Sequence, residues 1–291
     1  MGPLLFLIYI NDLPRIINDL AKSVLFADDT SNIITNTDVQ EFKHNIDAVL
    51  QEINNWFLSN LLTLNYNKTH FVQFFVKKQN KIKIQITSSN TILTNINSTK
   101  FLGLTIDSTM SWKEHLAALT SKLNKACFAI RAIKPFMTRR VLKMVYFSYF
   151  HSIMSHGFIF WGSTHLSNNI FKIQKRVIRT ITNKCKRDSC RQLFKQLHIL
   201  TLPAQYIFSL LMFVIKYKDI FPSKSDIHNR NTRYNHNLHL STTNLTLVQK
   251  GALHSCIKIY NHLPMHIKSL SNDLKHFKIK LKIFFPRTII V

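Results

Sequence analysis

The chain has 291 residues, 46% of them hydrophobic, and carries 39 Lys and Arg against 14 Asp and Glu, a formal charge of +25. That apolar content is ample for a core and excludes disorder throughout, while one large or two ordinary domains fit the length. The charge exceeds what solubility asks and repels itself in a compact chain, so a polyanionic partner is expected: nucleic acid first, an anionic membrane surface second.

Leu4 to Leu13 is apolar on every side, as a buried helix is, and Pro14 breaks it. The stretch Pro3 to Ile10 lacks the basic leader of a secretory signal. Next come two β-prone runs, Ser23 to Phe26 and Thr30 to Thr35, joined at Asp28-Asp29, which predicts a hairpin with two carboxylates at its tip. Adjacent carboxylates on rigid strands suit two-metal phosphoryl transfer, which wants hard oxygen ligands and open positions for phosphate and water. Asp is equally a common turn residue, so the pair alone is also ordinary turn chemistry.

Asp38 with Glu41 three residues on is a capping-box pattern. Val39, Phe42, Ile46, Val49, Leu50, Ile53, Trp56 and Phe57 then give a helix one apolar face. Leu62 to Val76 alternates as a strand with a turn near Asn65-Tyr66-Asn67. Lys81 to Ile86 has strict period two, an exposed basic strand with one buried face. Phe101 to Ile106 predicts a further short strand in which Gly103 marks a bulge or a close backbone approach.

From Ser111 the pattern is helical. Leu116, Leu119, Leu123, Ala126, Ile130 and Ile133 form one stripe, ended at Pro135. Thr138 can cap a second helix carrying Val141, Leu142, Val145, Tyr146, Tyr149 and Ile153, closed by Gly157. Ile170, Ile173, Val177, Ile178 and Ile181 line a third helix whose other faces carry Lys172, Lys175, Arg176 and Arg179. A charge run is usually a solvated face, but no acidic residue lies between Ser163 and Arg187, and these four are candidates for nucleic-acid contact. Cys127, Cys185, Cys190 and Cys256 are too scattered for a disulfide scaffold, which predicts free thiols in a reducing compartment. Cys185 and Cys190 with His198 make only a partial zinc set, since no fourth ligand follows at the usual spacing. The run Tyr206 to Ile215 is about half of what a membrane-spanning helix needs. Ser223 to Asn244 is polar, as a linker is; Gln249 to His262 reads as a helix; and Leu274 to Phe285 pairs an apolar stripe with Lys275, Lys278, Lys280 and Lys282.

Phe26-Ala27-Asp28-Asp29 resembles the Y/F-A-D-D box of reverse transcriptases, and Gly2-Pro3-Leu4-Leu5-Phe6-Leu7-Ile8-Tyr9-Ile10-Asn11-Asp12-Leu13-Pro14 resembles the end of the box before it. Further matches follow in family order: Leu64-Asn65 with Lys68-Thr69, Lys100-Phe101-Leu102-Gly103-Leu104 with Asp107, Trp112 and His115, then Trp161-Gly162, and Tyr260-Asn261-His262-Leu263-Pro264. The wording is most similar to non-LTR (LINE-type, jockey-like) retrotransposon polymerases. An ordered series of boxes is far more specific than any one of them.

The resemblance implies an α+β fold: the C-terminal half of a polymerase palm over residues 1–110, a helical thumb over 111–222, a polar linker over 223–248, and basic C-terminal helices over 249–291. It implies an RNA-directed DNA polymerase that extends a DNA primer on an RNA template with dNTPs. Asp28 and Asp29 would then be catalytic and hold Mg²⁺ or Mn²⁺, Lys68 would be a general acid toward pyrophosphate or else a solvated turn lysine, and Lys100 and Gly103 would approach the primer. The family's first catalytic Asp and its fingers have no counterpart in these residues, so the chain alone is expected to be inactive. The alternative is a non-enzymatic, nucleic-acid-binding retroelement relic; a membrane-surface binder rests on the last helix alone. An intracellular location, nuclear or cytoplasmic, is expected.

Overall fold

The computed structural model describes residues 2–17, 20–76, 84–88, 91–228 and 237–288. They fall into two compact units, one of residues 1–101 with 106–110, the other of 102–105 with 111–291. The chain mixes helices with small two-stranded sheets, an α+β composition.

In the first unit, α1 (Gly2–Ile10) is followed by α2 (Leu13–Ile17), where Pro14 sits in the first turn and its missing N–H leaves no bond unmade. The expected burial of α1 is not found. Leu4, Leu5, Leu7 and Ile8 are exposed and only Ile10 is buried, because one side of the helix alone meets Leu13 and Trp56. β1 (Lys22–Phe26) and β2 (Asp29–Ile33) pair antiparallel, with Phe26 opposite Asp29. α3 (Val39–Ser59) begins at Asp38, whose carboxylate accepts from the Gln40 and Glu41 amides at 2.8 and 2.9 Å. The reciprocal half of the capping box is replaced: Asn36 accepts from the Asp38 amide and donates to Glu41. Ile46, Val49, Ile53 and Trp56 are the buried face of α3, and they gather three small apolar clusters around it.

The expected strands after α3 are much shorter in the structure. Leu62 to Val76 contributes β3 (His70–Phe71), which runs parallel to β6 (Thr94–Asn95), while β4 (Thr87–Ser88) pairs with β5 (Thr91–Ile92). Of the basic strand read over Lys81 to Ile86, Lys81 to Lys83 lie outside the described residues and Ile84 to Ile86 belong to no strand. The strand read over Phe101 to Ile106 is instead a hairpin of β7 (Ser98–Phe101) and β8 (Leu104–Asp107). Leu102 and Gly103 between them have φ of 47° and 82°, the pair of left-handed residues that a two-residue hairpin turn uses.

The second unit is helical. α4 (Lys113–Ile133) buries the expected stripe and runs into a 3₁₀ turn, Lys134–Phe136. Thr138 caps α5 (Arg139–Val145), which widens into a π-helical stretch, Tyr146–His151, before α6 (Ser152–Ser155). The widening moves the buried face. Leu142, Tyr146, Phe150 and Met154 recur every four residues and are fully buried; the expected Val145 and Ile153 are half-buried against the same cluster, while the expected Tyr149 is exposed. After α7 (Phe158–Trp161) come α8 (Ser167–Thr182), α9 (Arg191–Leu197) and α10 (Leu202–Lys216), the first two closing one cluster with α4 and α5.

Buried Gln174 of α8 ties three elements together: its amide donates to Tyr146 Oη and the Leu200 carbonyl, both at 3.0 Å, and accepts from the Leu202 amide at 2.9 Å. α10 belongs mainly to a second cluster. That cluster also takes Cys256 and Tyr260 of α13 (Ala252–Asn261), Ile267 of α14 (Met265–Lys268), and Phe277, Leu281 and Phe285 of α15 (Leu274–Thr288). Between them lie α11 (Lys224–His228) and α12 (Thr246–Gln249); these short helices interrupt the polar stretch, of which residues 229–236 are outside the described set. The apolar stripe of the last helix is thus spent on internal packing. No single helix among the described residues is long and apolar enough to cross a membrane.

Candidate functional site

β1 and β2 are joined by Ala27 and Asp28 alone, and cross-strand Ser23 and Asn32 hydrogen-bond at 2.8 Å. Ala27 closes the turn at φ 51°, a left-handed conformation that costs a residue with a Cβ about 1 kcal/mol. Asp28 occupies the second turn position and Asp29 the first residue of β2, so two carboxylates on consecutive residues stand at the end of a rigid ribbon, both exposed. Beside the tip is an apolar cavity of about 360 Å³ lined by Pro3, Phe6, Leu7, Leu25, Phe26 and Ala27.

Among the described residues no third His, Cys, Asp or Glu joins this pair. Two hard oxygen donors fit part of the shell of Mg²⁺ or Mn²⁺, the rest falling to substrate phosphate and water. Lys68 lies in the exposed turn that follows α3, where its backbone amide bonds to the Asn65 carbonyl at 3.0 Å; no ion pair joins its ammonium to Asp28 or Asp29.

The family model for reverse transcriptase (RNA-dependent DNA polymerase) matches residues 1–106, the stretch that holds this hairpin. The chain is also similar to a probable RNA-directed DNA polymerase from transposon BS of Drosophila melanogaster, 27% identical over 194 residues. That similarity covers 63% of this chain, so it reaches beyond the stretch matched by the family model, but only 21% of the transposon polymerase. The chain thus spans about a fifth of that relative's length. No solved structure matches it.

At the end of the matched stretch, the turn of the β7–β8 hairpin packs within the helical unit. The Leu102 carbonyl takes a hydrogen bond from His156 Nε2 at 3.0 Å, and a Cβ on Gly103 would lie 3.0 Å from the same nitrogen. The Thr105 amide donates to His115 Nδ1 at 3.3 Å. His115 is buried between Trp112 and Trp161, and Trp161 donates to the His156 carbonyl at 3.1 Å. Burial lowers the His115 pKa, and the neighbouring His156 and Lys122 lower it further. Gly162 approaches closely too, since a Cβ there would stand 2.3 Å from Tyr206 Cδ2. Leu102, Gly103, Trp112, His115, Trp161 and Gly162, separate boxes in the sequence, therefore meet in one packing cluster. His156 completes it and was not singled out from the sequence, because its contact spans 54 positions and leaves no local pattern.

Lys100 is exposed on β7, one residue before that packed turn begins. On α8, Lys172 and Arg176 are exposed and Lys175 and Arg179 half-buried, all on the face opposite the apolar stripe. Three of the four also serve the fold. Lys175 stands 4.0 Å over the Phe171 ring, Arg176 donates to Asn124 Oδ1 of α4 at 3.3 Å, and Arg179 Nε donates to the Asp188 carbonyl at 2.9 Å. Cys185 and Cys190 are free thiols, and burial raises the pKa of Cys190.

Proposed function

We propose that these residues form the later part of the palm, and the thumb, of a non-LTR-type retrotransposon reverse transcriptase, which extends a DNA primer on an RNA template with dNTPs. The observation that carries the reading is Asp28-Asp29 at the tip of a two-residue hairpin inside the stretch matched to the family. A divalent cation held at Asp28 and Asp29 supplies charge stabilisation at the reacting phosphate. The chain's own part is to fix both carboxylates on a ribbon that cannot slip, because its register is set by the two-residue turn. Lys68 serves as proton donor to the departing pyrophosphate, Lys100 and Gly103 approach the primer, and the basic face of α8 contacts nucleic acid.

Since the described residues bring together two carboxylates, the 291 residues alone are expected to be inactive in a primer-extension assay on poly(rA)/oligo(dT) with Mg²⁺ or Mn²⁺. Fusing a palm segment that supplies the family's further Asp is expected to restore extension, and Asp28→Ala to abolish it. Extension by the isolated chain overturns its incompleteness. A fused protein that stays inactive, or one indifferent to Asp28→Ala, overturns the polymerase reading.

A further inference from the structure

Along the solvent side of α4 lies a shallow, wide-open groove, close to a flat surface, lined by Ala117, Thr120, Ser121, Asn124, Lys125 and Phe128. These positions recur at intervals of three and one, so they share one face of a single helix. The floor is small side chains, and the Thr120 hydroxyl is already bonded to the Leu116 carbonyl at 2.6 Å. At one end stands Phe128, 70% exposed, an aromatic ring whose faces the fold leaves unused. Arg176 of α8 reaches the edge of the groove through its bond to Asn124. Between Glu114 and Asp188 the sequence contains no acidic residue, so nothing nearby in the chain neutralises Lys125 and Arg176.

We propose that this groove seats a single-stranded segment of nucleic acid, one base stacked on Phe128 and phosphates against Lys125 and Arg176. It rests on the nucleic-acid reading above and adds the strand state and the residues that select it. Cations alone track any phosphate backbone, duplex or single. An exposed ring is different, because in a duplex the base faces are occupied by their neighbours, whereas an unpaired base offers a free face to an aromatic side chain. An apolar peptide laid over the same groove would desolvate two cations with no acid to meet them, which is costly. Phe136, 83% exposed on the 3₁₀ turn that continues α4, offers a second ring farther along.

The test uses the full chain and fluorescence anisotropy with labelled oligo(U) and with a blunt RNA–DNA hybrid. Phe128→Leu keeps apolar bulk but loses the π-face, and is expected to weaken oligo(U) binding about tenfold with the salt slope unchanged. Phe128→Trp is expected to retain it, and hybrid binding to change less than about twofold in either variant. Lys125→Gln is expected to lower the salt slope by about one. Unchanged oligo(U) affinity in Phe128→Leu overturns the proposal, as does an equal loss on the hybrid. Self-association that Phe128→Leu abolishes while oligo(U) affinity stays the same assigns the groove to a protein contact and overturns it too. If the unaltered chain binds the hybrid but not oligo(U), only this proposal falls; if it binds neither, the nucleic-acid reading falls with it.

Discussion

At His115 the backbone N–H of Thr105 points at Nδ1, which places the ring proton of the neutral imidazole on Nε2. That second nitrogen is buried with no hydrogen-bond partner, and Trp112 and Trp161 pack around the ring. Charging the ring would cost desolvation, set it against His156 and Lys122, and abolish the acceptor that holds Thr105. The folded pKa therefore lies below the ordinary value of 6.5, and once the pH falls under 6.5 the unfolded chain binds more protons than the folded one. The stabilisation is complete above that value and is lost as the pH falls toward the folded pKa. His151 works in the same direction: burial lowers its pKa, a bond with Gln205 opposes the shift, and Lys282 adds to it. Denaturant unfolding between about pH 7.5 and 5.5 is expected to show falling stability, with a shallower fall in His115→Gln. An equal slope in the variant would show that His115 does not titrate against folding. Trp112 and His115 were legible in the sequence as a spacing; the reason for the spacing, a histidine caged by two tryptophans under a hairpin, was not.

Helices with one dominant stripe were the most legible elements, since α3, α4 and α8 each repeat apolar residues at the helical period and bury them. The π-helical stretch after α5 escaped because periodicity assumes about 3.6 residues per turn, and a widened turn brings Phe150 and Met154 into the core and leaves the expected Tyr149 exposed, with Ile153 only half-buried. The short strands escaped for another reason: two-residue ribbons such as β3 with β6 are fixed by pairing across more than twenty residues, not by alternation along one run. On α8 the sequence displayed four cations, but only the structure separates their duties. Lys172→Gln is expected to lower the salt slope of nucleic-acid binding by about one and leave thermal stability unchanged. Arg179→Gln is expected to cost about 1 kcal/mol of stability instead, because the Asp188 carbonyl loses its charged donor. Equal effects of the two variants on both readouts would show that the α8 face acts as a uniform charge layer.

For the whole molecule, the sequence shows the total charge but not how the chain divides. The tip of the β7–β8 hairpin, residues 102–105, belongs with the helices that follow Ser111, through contacts such as that of Leu102 with His156. Such contacts cannot be read along a sequence. Among the described residues the one ion pair is that of Asp273 with His276 at 2.6 Å, which is an ion pair only while His276 is protonated. Most of the 39 Lys and Arg are therefore not offset inside the fold, and their mutual repulsion opposes compaction. Salt should relieve that repulsion, so the thermal midpoint of the free chain is expected to rise with ionic strength at neutral pH. Binding should show the opposite dependence. A phosphate backbone engaged by several cations releases condensed counterions, so the logarithm of the association constant is expected to fall linearly with the logarithm of salt concentration, by about 0.7 to 0.9 per phosphate contacted. Titrations of a labelled template–primer at several salt concentrations give the slope, and differential scanning fluorimetry gives the midpoint. Affinity indifferent to salt would show that the excess charge is not what holds the nucleic acid, and tighter binding to anionic vesicles than to template–primer would turn the charge toward a membrane surface instead.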